Sequence, residues 1–252
     1  MLSRLAALVL VAALAPAARM PQRSAITVSA AVSLTDALTA IADDYGGHGY
    51  GSVRFNFGAS NVLARQIVDG APVDVFISAD DAQMDVVAKA GLVKDGSRVP
   101  LLRNQLAVVV PSDRPRTLKG IRDLADPSFK RIALGDPAAV PAGVYAKQYL
   151  EAQGLWKTIE PRVVPAGSVR LALAAVETGA ADAAIVYRSD ARVALKATVA
   201  WVVAAGDGPR IVYPGAIVKT SAAPAEAQRF LDFLRGGSAA RLFERFGFTP
   251  IQ

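Results

Sequence analysis

Short β-rich runs alternate with amphipathic helical stretches from residue 25 almost to the end of this 252-residue chain. The run Val53–Phe57 is typical of a strand, whereas Leu34, Leu38 and Ile41 recur at the spacing of one helix face. Such alternation predicts an α/β fold in which helices cover both faces of parallel sheets. In open α/β sheets, ligands bind where strands end and helices begin. The strand-to-helix turns are therefore the first places to search for a functional site.

The residue pattern of the sequence changes at two places, residues 101–106 and residues 213–215. Both segments are candidates for strands that cross between two lobes, and the chain is long enough for two lobes of ordinary size. We expect a discontinuous first lobe of residues 25–103 and 214–252, with residues 104–213 forming the second. The late strand predicted from Ile211 to Val218 should be interrupted at its Pro-Gly pair.

Composition excludes several kinds of chemistry. The chain has no Cys and one His, which rules out disulfides, thiolate nucleophiles, zinc sites built on cysteine and histidine-rich metal centres. The net charge of +6 is mild, and its Lys and Arg residues are scattered along the chain. We therefore expect no nucleic-acid partner.

The N-terminus has the pattern of a secretory signal peptide. One positive side chain within Met1–Arg4 precedes the apolar run Leu5–Leu14, and Ala15–Ala17 offers a cleavage site. The run is too short to span a bilayer, which takes about 20 residues. We predict a signal peptide over residues 1–17, with cleavage near Ser24 as the alternative. Because no cysteine is available for lipid modification, we expect a periplasmic protein without a lipid anchor.

Four predicted strand-to-helix turns share small residues and hydroxyls: Ala30–Asp36, Phe57–Leu63, Val140–Tyr145 and Pro165–Arg170. Small residues let backbone N–H groups approach a ligand, and helix N-termini have partial positive charge. Convergence of these turns would form an anion site. For any single serine, helix capping is the simpler interpretation. Ser33, with an acidic residue three positions later, resembles a capping box.

Enzyme signatures are weak. The segment Gly46–Gly51 misses the register of a nucleotide-binding loop and is predicted to be a surface turn. His48 lies inside it with no suggested Ser or Asp partner, so a catalytic triad is not indicated. Tyr187, at the end of a predicted strand, is harder to assign to the core than Tyr145 and Tyr149, which are most simply packing residues.

Several longer motifs resemble one family, the periplasmic molybdate-binding proteins of ABC importers. They are AAVSLTDAL (30–38), LARQIVDGAPVDVFISAD (63–80), GDPAAVPAGVYAKQYLEAQGLW (135–156), AIVYRSDA (184–191) and RFGF (245–248). The resemblance extends from about residue 26 to residue 248. It implies a two-lobed periplasmic-binding-protein fold (type II) with two crossovers and a ligand cleft between the lobes. It also implies a tetrahedral dianion held by neutral donors.

The same resemblance implies the ligand-binding residues. Ser33 and Ser60 match hydroxyl and amide donors of the family, Ala142 and Val169 match backbone N–H donors, and Tyr187 matches the tyrosine whose hydroxyl completes the shell. These contacts would be to the oxygens of the anion and not to its metal atom. The sequence departs from the commoner family pattern after Ser60, at positions 61 and 62.

The expected function is capture of molybdate, and of tungstate, for delivery to the membrane permease of an ABC importer. We expect a monomer with no cofactor and no catalytic residues. The alternatives are a sulfate-type oxyanion-binding protein, a secreted hydrolase or transferase, and a ligand-responsive regulatory domain of the same fold.

Overall fold

The computed structural model describes residues 25–251; the predicted signal peptide lies outside them. In this range the strands form two sheets. The first has the order β11-β4-β10-β3-β1-β2 and contains β1 (Ile26–Ala31), β2 (Val53–Gly58), β3 (Val75–Ile77), β4 (Val99–Asn104), β10 (Ile211–Ile217) and β11 (Thr249–Pro250). The second has the order β7-β6-β8-β5-β9 and contains β5 (Leu106–Pro111), β6 (Ile132–Gly135), β7 (Val163–Ala166), β8 (Ala183–Tyr187) and β9 (Ala197–Val202).

The helices follow the strands in the expected alternation. They are α1 (Thr35–Gly47), α2 (Ser60–Val68), α3 (Asp81–Lys89), α4 (Pro141–Ala152), α5 (Trp156–Ile159), α6 (Val169–Glu177), α7 (Arg188–Arg192), α8 (Pro224–Leu234) and α9 (Gly237–Arg245). Short 3-10 turns lie at Val32–Leu34, Ile121–Ala125 and Glu160–Arg162. The apolar face predicted for this helix is buried: Leu34, in the 3-10 turn before α1, and Leu38 and Ile41 of α1 are each 0% exposed. The predicted glycine-rich surface turn is shorter than expected, because α1 continues to Gly47.

The chain crosses twice between the sheets, once from β4 to β5 and once from β9 to β10. We call the lobe built on the first sheet the first lobe and the other the second lobe. The strands from residue 26 to 104 and from 211 to 250 belong to the first sheet, and those from 106 to 202 belong to the second. The residue limits proposed for the lobes stay a prediction.

The prediction that the sheets are parallel was wrong for the strands at the crossovers. Strand β10 is antiparallel to β3 and β4, and β5 is antiparallel to β8 and β9. A strand that enters a sheet by crossing from the other lobe is not bound to the direction of that sheet's strand–helix units. Both sheets are therefore mixed.

The predicted interruption of β10 was also wrong. The strand runs through Pro214 and Gly215, and its pairing with β4 shifts register between Tyr213 and Pro214. A proline cannot donate to a ladder, so an irregular register is one of the few places where a sheet accommodates it. In residues 25–251, no helix is both long enough and apolar enough to cross a membrane.

Candidate functional site

Parallel pairing brings the predicted turns together two by two. In the first lobe, β1 pairs with β2 so that Ala31 lies opposite Gly58, and the following residues enter the 3-10 turn before α1 and the start of α2. In the second lobe, β6 pairs with β7 so that Gly135 lies opposite Ala166, ahead of α4 and α6. Each lobe therefore presents two helix-start turns at one edge of its sheet.

These turns meet in a small cavity between the lobes. It is lined by Ala31, Val32, Ser33, Gly58, Ala59, Ser60, Ala79, Val140, Pro141, Ala142, Val169 and Tyr187. All five residues named from the sequence lie in this set, and each is at most 4% exposed. The lining residues are uncharged, so whatever polarity the cavity offers comes from hydroxyls and backbone groups. Asn61, which departs from the family pattern, is not among them.

Ser33 does not cap a helix, and the predicted capping box was wrong. It lies in the 3-10 turn Val32–Leu34, and the N-cap of α1 is Leu34, which makes no side-chain capping bond. Ser33 Oγ instead lies 3.0 Å from Tyr213 Oη, a residue 180 positions away in β10. This long-range contact fixes the side chain at the cavity wall.

Ser60 is the first residue of α2 and is 1% exposed. The backbone N–H of Ala79 donates to Ser60 Oγ over 3.0 Å. Because this amide occupies an acceptor position of the oxygen, the hydroxyl proton remains available to a group in the cavity.

Ala142 and Val169 contribute backbone groups from the second lobe. Ala142 is the second residue of α4 and Val169 is the first residue of α6. The first four N–H groups of a helix have no partner within the helix, and they give this end its partial positive charge. Ser168, just before Val169, caps α6 by accepting from Leu171 N at 3.2 Å. The cap leaves the amide at the helix start for an external acceptor.

Tyr187 supplies the third hydroxyl. It ends β8, is 1% exposed, and its Oη is buried with no hydrogen-bond partner among the described residues. Burial raises the pKa of Tyr187 well above 10, so its phenol keeps the proton. An unpaired buried donor costs free energy unless a partner satisfies it. A bound anion would be such a partner.

The family follows from comparison with known proteins. The pattern of the bacterial extracellular solute-binding proteins matches residues 26–249. The chain belongs to this family. The solute-binding protein is 39% identical over 228 residues to the molybdate-binding protein ModA of Escherichia coli K12, with 89% of this chain and 88% of that relative covered.

Solved structures agree with this placement. The periplasmic molybdate-binding protein of Azotobacter vinelandii has a TM-score of 0.82 and 26% identity, covering 90% of this chain and all of that one. The sulfate-binding protein SubI of Mycobacterium tuberculosis H37Rv has a TM-score of 0.79 and 20% identity over 91% of this chain and 88% of that one, which shows the fold alone. The two-lobed α/β periplasmic-binding-protein fold predicted from the sequence is confirmed.

The solute-binding protein has an ionic cluster beside this cavity that sequence reasoning missed. Arg170, the residue after Val169, donates from its terminal nitrogen to Asp36 of α1 at 2.7 Å and from Nε to Asp190 of α7 at 2.5 Å. Asp36 belongs to the first lobe, whereas Arg170 and Asp190 belong to the second. The cluster therefore ties the lobes together next to two lining residues. The only sequence signal of this cluster is one charged residue in each of two turns that otherwise contain small, neutral residues.

Proposed function

We propose that this solute-binding protein captures molybdate, and tungstate, between its lobes and delivers it to the membrane permease of an ABC importer. The observation that supports this most directly is the meeting of Ser33, Ser60, Ala142, Val169 and Tyr187 in one buried, uncharged cavity. Three hydroxyls and the amides of helix starts make a shell of hydrogen-bond donors. Such a shell suits a tetrahedral dianion.

Neutral donors also suit a protein that must release its ligand. Hydrogen bonds to charged groups contribute roughly 1.5 to 3 kcal/mol each, so several of them bind a dianion tightly even after the entropy of closure is subtracted. Buried arginines would hold the dianion more strongly and slow its release. The described lining residues include no carboxylate or imidazole that could serve as a base for Ser33 or Ser60, so we propose binding without turnover.

We further propose export to the periplasm by a signal peptide over residues 1–17, and a monomer without a cofactor. The lobes, residues 25–103 with 214–252 and residues 104–213, would close on the anion. The closed arrangement is what a permease could recognise, because it differs from the open one in the relative position of two surfaces.

Removing single hydroxyls tests the shell. Ser33→Ala, Ser60→Ala and Tyr187→Phe are each expected to weaken molybdate binding by roughly 1.5 to 3 kcal/mol, because each removes one hydrogen bond to a charged ligand. Isothermal calorimetry gives the affinities, and thermal unfolding without ligand shows that the fold is retained. Thr39→Ala is the control, since its hydroxyl bonds to the carbonyl of Thr35 on the exposed side of α1. Wild-type affinity in all three variants would contradict the site.

An anion panel tests the ligand. Tungstate should bind about as tightly as molybdate, and sulfate much more weakly, because it is smaller and cannot reach all the donors at once. The net charge of +6 speeds capture of every dianion alike and is screened beyond about 10 Å at 0.1 M salt. Raising the salt should therefore slow association without changing the order of affinities. Sulfate binding equal to molybdate binding would favour the sulfate-type alternative.

A further inference from the structure

A buried chain of polar side chains runs from the first crossover to the cavity. Asn104 is the last residue of β4, Tyr213 lies in β10, and Ser33 lines the cavity. Asn104 Nδ2 lies 3.2 Å from Tyr213 Oη, which in turn lies 3.0 Å from Ser33 Oγ. The three residues are 8%, 0% and 3% exposed. Because these side chains are buried, neighbouring protein groups determine which atom donates in each of the hydrogen bonds.

The direction begins at Asn104, whose amide orientation is fixed by a backbone group. The N–H of Gln105 donates to Asn104 Oδ1 at 2.9 Å, so the oxygen points toward that N–H and the NH₂ group points the other way. Asn104 Nδ2 donates to Ser189 Oγ at 2.9 Å as well as to Tyr213 Oη. Both amide protons are thus assigned, and Asn104 can only donate to Tyr213.

The orientation of Asn104 determines where the hydroxyl protons of Tyr213 and Ser33 lie. Tyr213 Oη accepts from Asn104, and burial keeps the phenol protonated because it raises the pKa of Tyr213 well above 10. The 3.0 Å contact with Ser33 Oγ allows either hydroxyl to donate, but donation by Ser33 would leave the buried phenol proton of Tyr213 without a partner among the contacts of the described residues, so Tyr213 is assigned as the donor. Once Ser33 Oγ accepts this bond, its own proton is left for the cavity.

We propose that Tyr213, oriented by Asn104, is a positioning residue that makes the Ser33 hydroxyl an obligate donor and so selects fully deprotonated oxyanions. This inference rests on the proposed function and deepens it. The arrangement at Ser60 supports it independently, because there the Ala79 amide occupies an acceptor position of the hydroxyl. Two serines from different turns thus present protons to the ligand. A ligand that keeps a proton, such as hydrogenphosphate or hydrogenarsenate, would place O–H against O–H.

Tyr213→Phe removes the relay and keeps the ring. The Ser33 hydroxyl then rotates freely and can accept as well as donate. Molybdate affinity should fall by roughly threefold to tenfold, because the Ser33 hydroxyl is no longer held as a donor by its hydrogen bond from Tyr213. Affinity for hydrogenarsenate should stay constant or rise, so the ratio of molybdate affinity to hydrogenarsenate affinity should fall. Tyr149→Phe, at a buried tyrosine stacked on Trp201 outside the cavity, should leave the ratio unchanged.

A double-mutant cycle separates positioning from general support of the fold. In the Ser33→Ala background, Tyr213→Phe should have no further effect on molybdate affinity, because the proton it directs is gone. Additive losses of molybdate affinity in the double variant, or an unchanged ratio of molybdate to hydrogenarsenate affinity in Tyr213→Phe, would overturn the relay. Molybdate binding by the wild-type protein would still support the proposed function in that case. A wild-type protein that binds no molybdate would overturn the proposed function itself. Thermal unfolding of each variant shows that affinities are compared between folded proteins.

Discussion

Gly143→Ala is expected to destabilise the protein by about 3 kcal/mol or more and to reduce molybdate affinity severely. A Cβ at Gly143 would lie 1.8 Å from the carbonyl oxygen of Gly135 and 2.4 Å from its carbon. These are backbone atoms at the end of β6, which cannot swing aside as a flexible side chain can. Overpacking of this kind typically costs about 1 to 3 kcal/mol and occasionally more. The first turn of α4 must shift, and the Ala142 amide shifts with it.

Urea denaturation measures the stability change, and calorimetry with molybdate measures the affinity. Gly47→Ala is the matched control, since Gly47 is also helical, ends α1 and has no atom within 4 Å of an added Cβ. Alanine at such a position should be neutral or stabilise by up to about 1 kcal/mol. If Gly143→Ala kept wild-type stability and affinity, α4 would not need its close approach to β6, and that approach could not be what positions Ala142.

Most strands and helices could be predicted from the sequence because hydrophobic period is a local signal, whereas the five lining residues were implied by the family resemblance. Hydrophobic period located the strands and helices, and small residues with hydroxyls marked the turns after them. The family resemblance then selected Ser33, Ser60, Ala142, Val169 and Tyr187 from many similar residues. Their convergence required pairings such as Ala31 with Gly58, which the period of a single strand does not encode.

Long-range partners explain what sequence reasoning missed. Ser33 fits a helix cap by its local pattern, yet its partner Tyr213 is 180 residues away. The acid that appeared to complete the capping box, Asp36, pairs with Arg170, which is 134 residues away. The direction of the strands at the crossovers could not be predicted from the sequence, because antiparallel and parallel buried strands have the same apolar composition.

Arg170→Met is expected to destabilise the protein by roughly 3 to 5 kcal/mol above neutral pH, where it leaves Asp190 as a buried charge without its partner. Asp190 is 0% exposed, and burial raises its pKa to about 6 even with Arg170 present. Arg98→Met is the matched control. Arg98 also bridges two carboxylates, Asp81 and Asp85, but on the surface, where such pairs contribute about 0 to 1 kcal/mol. Urea denaturation compares the two variants.

The pH dependence of stability identifies Asp190 as the cause. A carboxyl whose pKa is raised in the folded state binds its proton more tightly there than in the unfolded chain, where the value is about 3.9. The wild type should therefore gain stability relative to Asp190→Asn as the pH falls from 7 through about 6 toward 4. Without Arg170 the pKa of Asp190 rises further, so the penalty of Arg170→Met should shrink as the pH falls toward about 6 and stay constant below that, where Asp190 is protonated in both proteins. A penalty that does not change with pH would contradict the assignment.

The double variant Arg170→Met/Asp190→Asn separates the buried charge from the contact between lobes. Replacing both members of a buried ion pair is often neutral, whereas removing one member leaves the other uncompensated. The double variant should therefore recover much of the stability that Arg170→Met loses above neutral pH. It cannot restore the bond from Arg170 to Asp36, which joins the second lobe to the first. Any weakening of molybdate binding that persists after stability recovers then measures the contribution of that bond to the closed lobes.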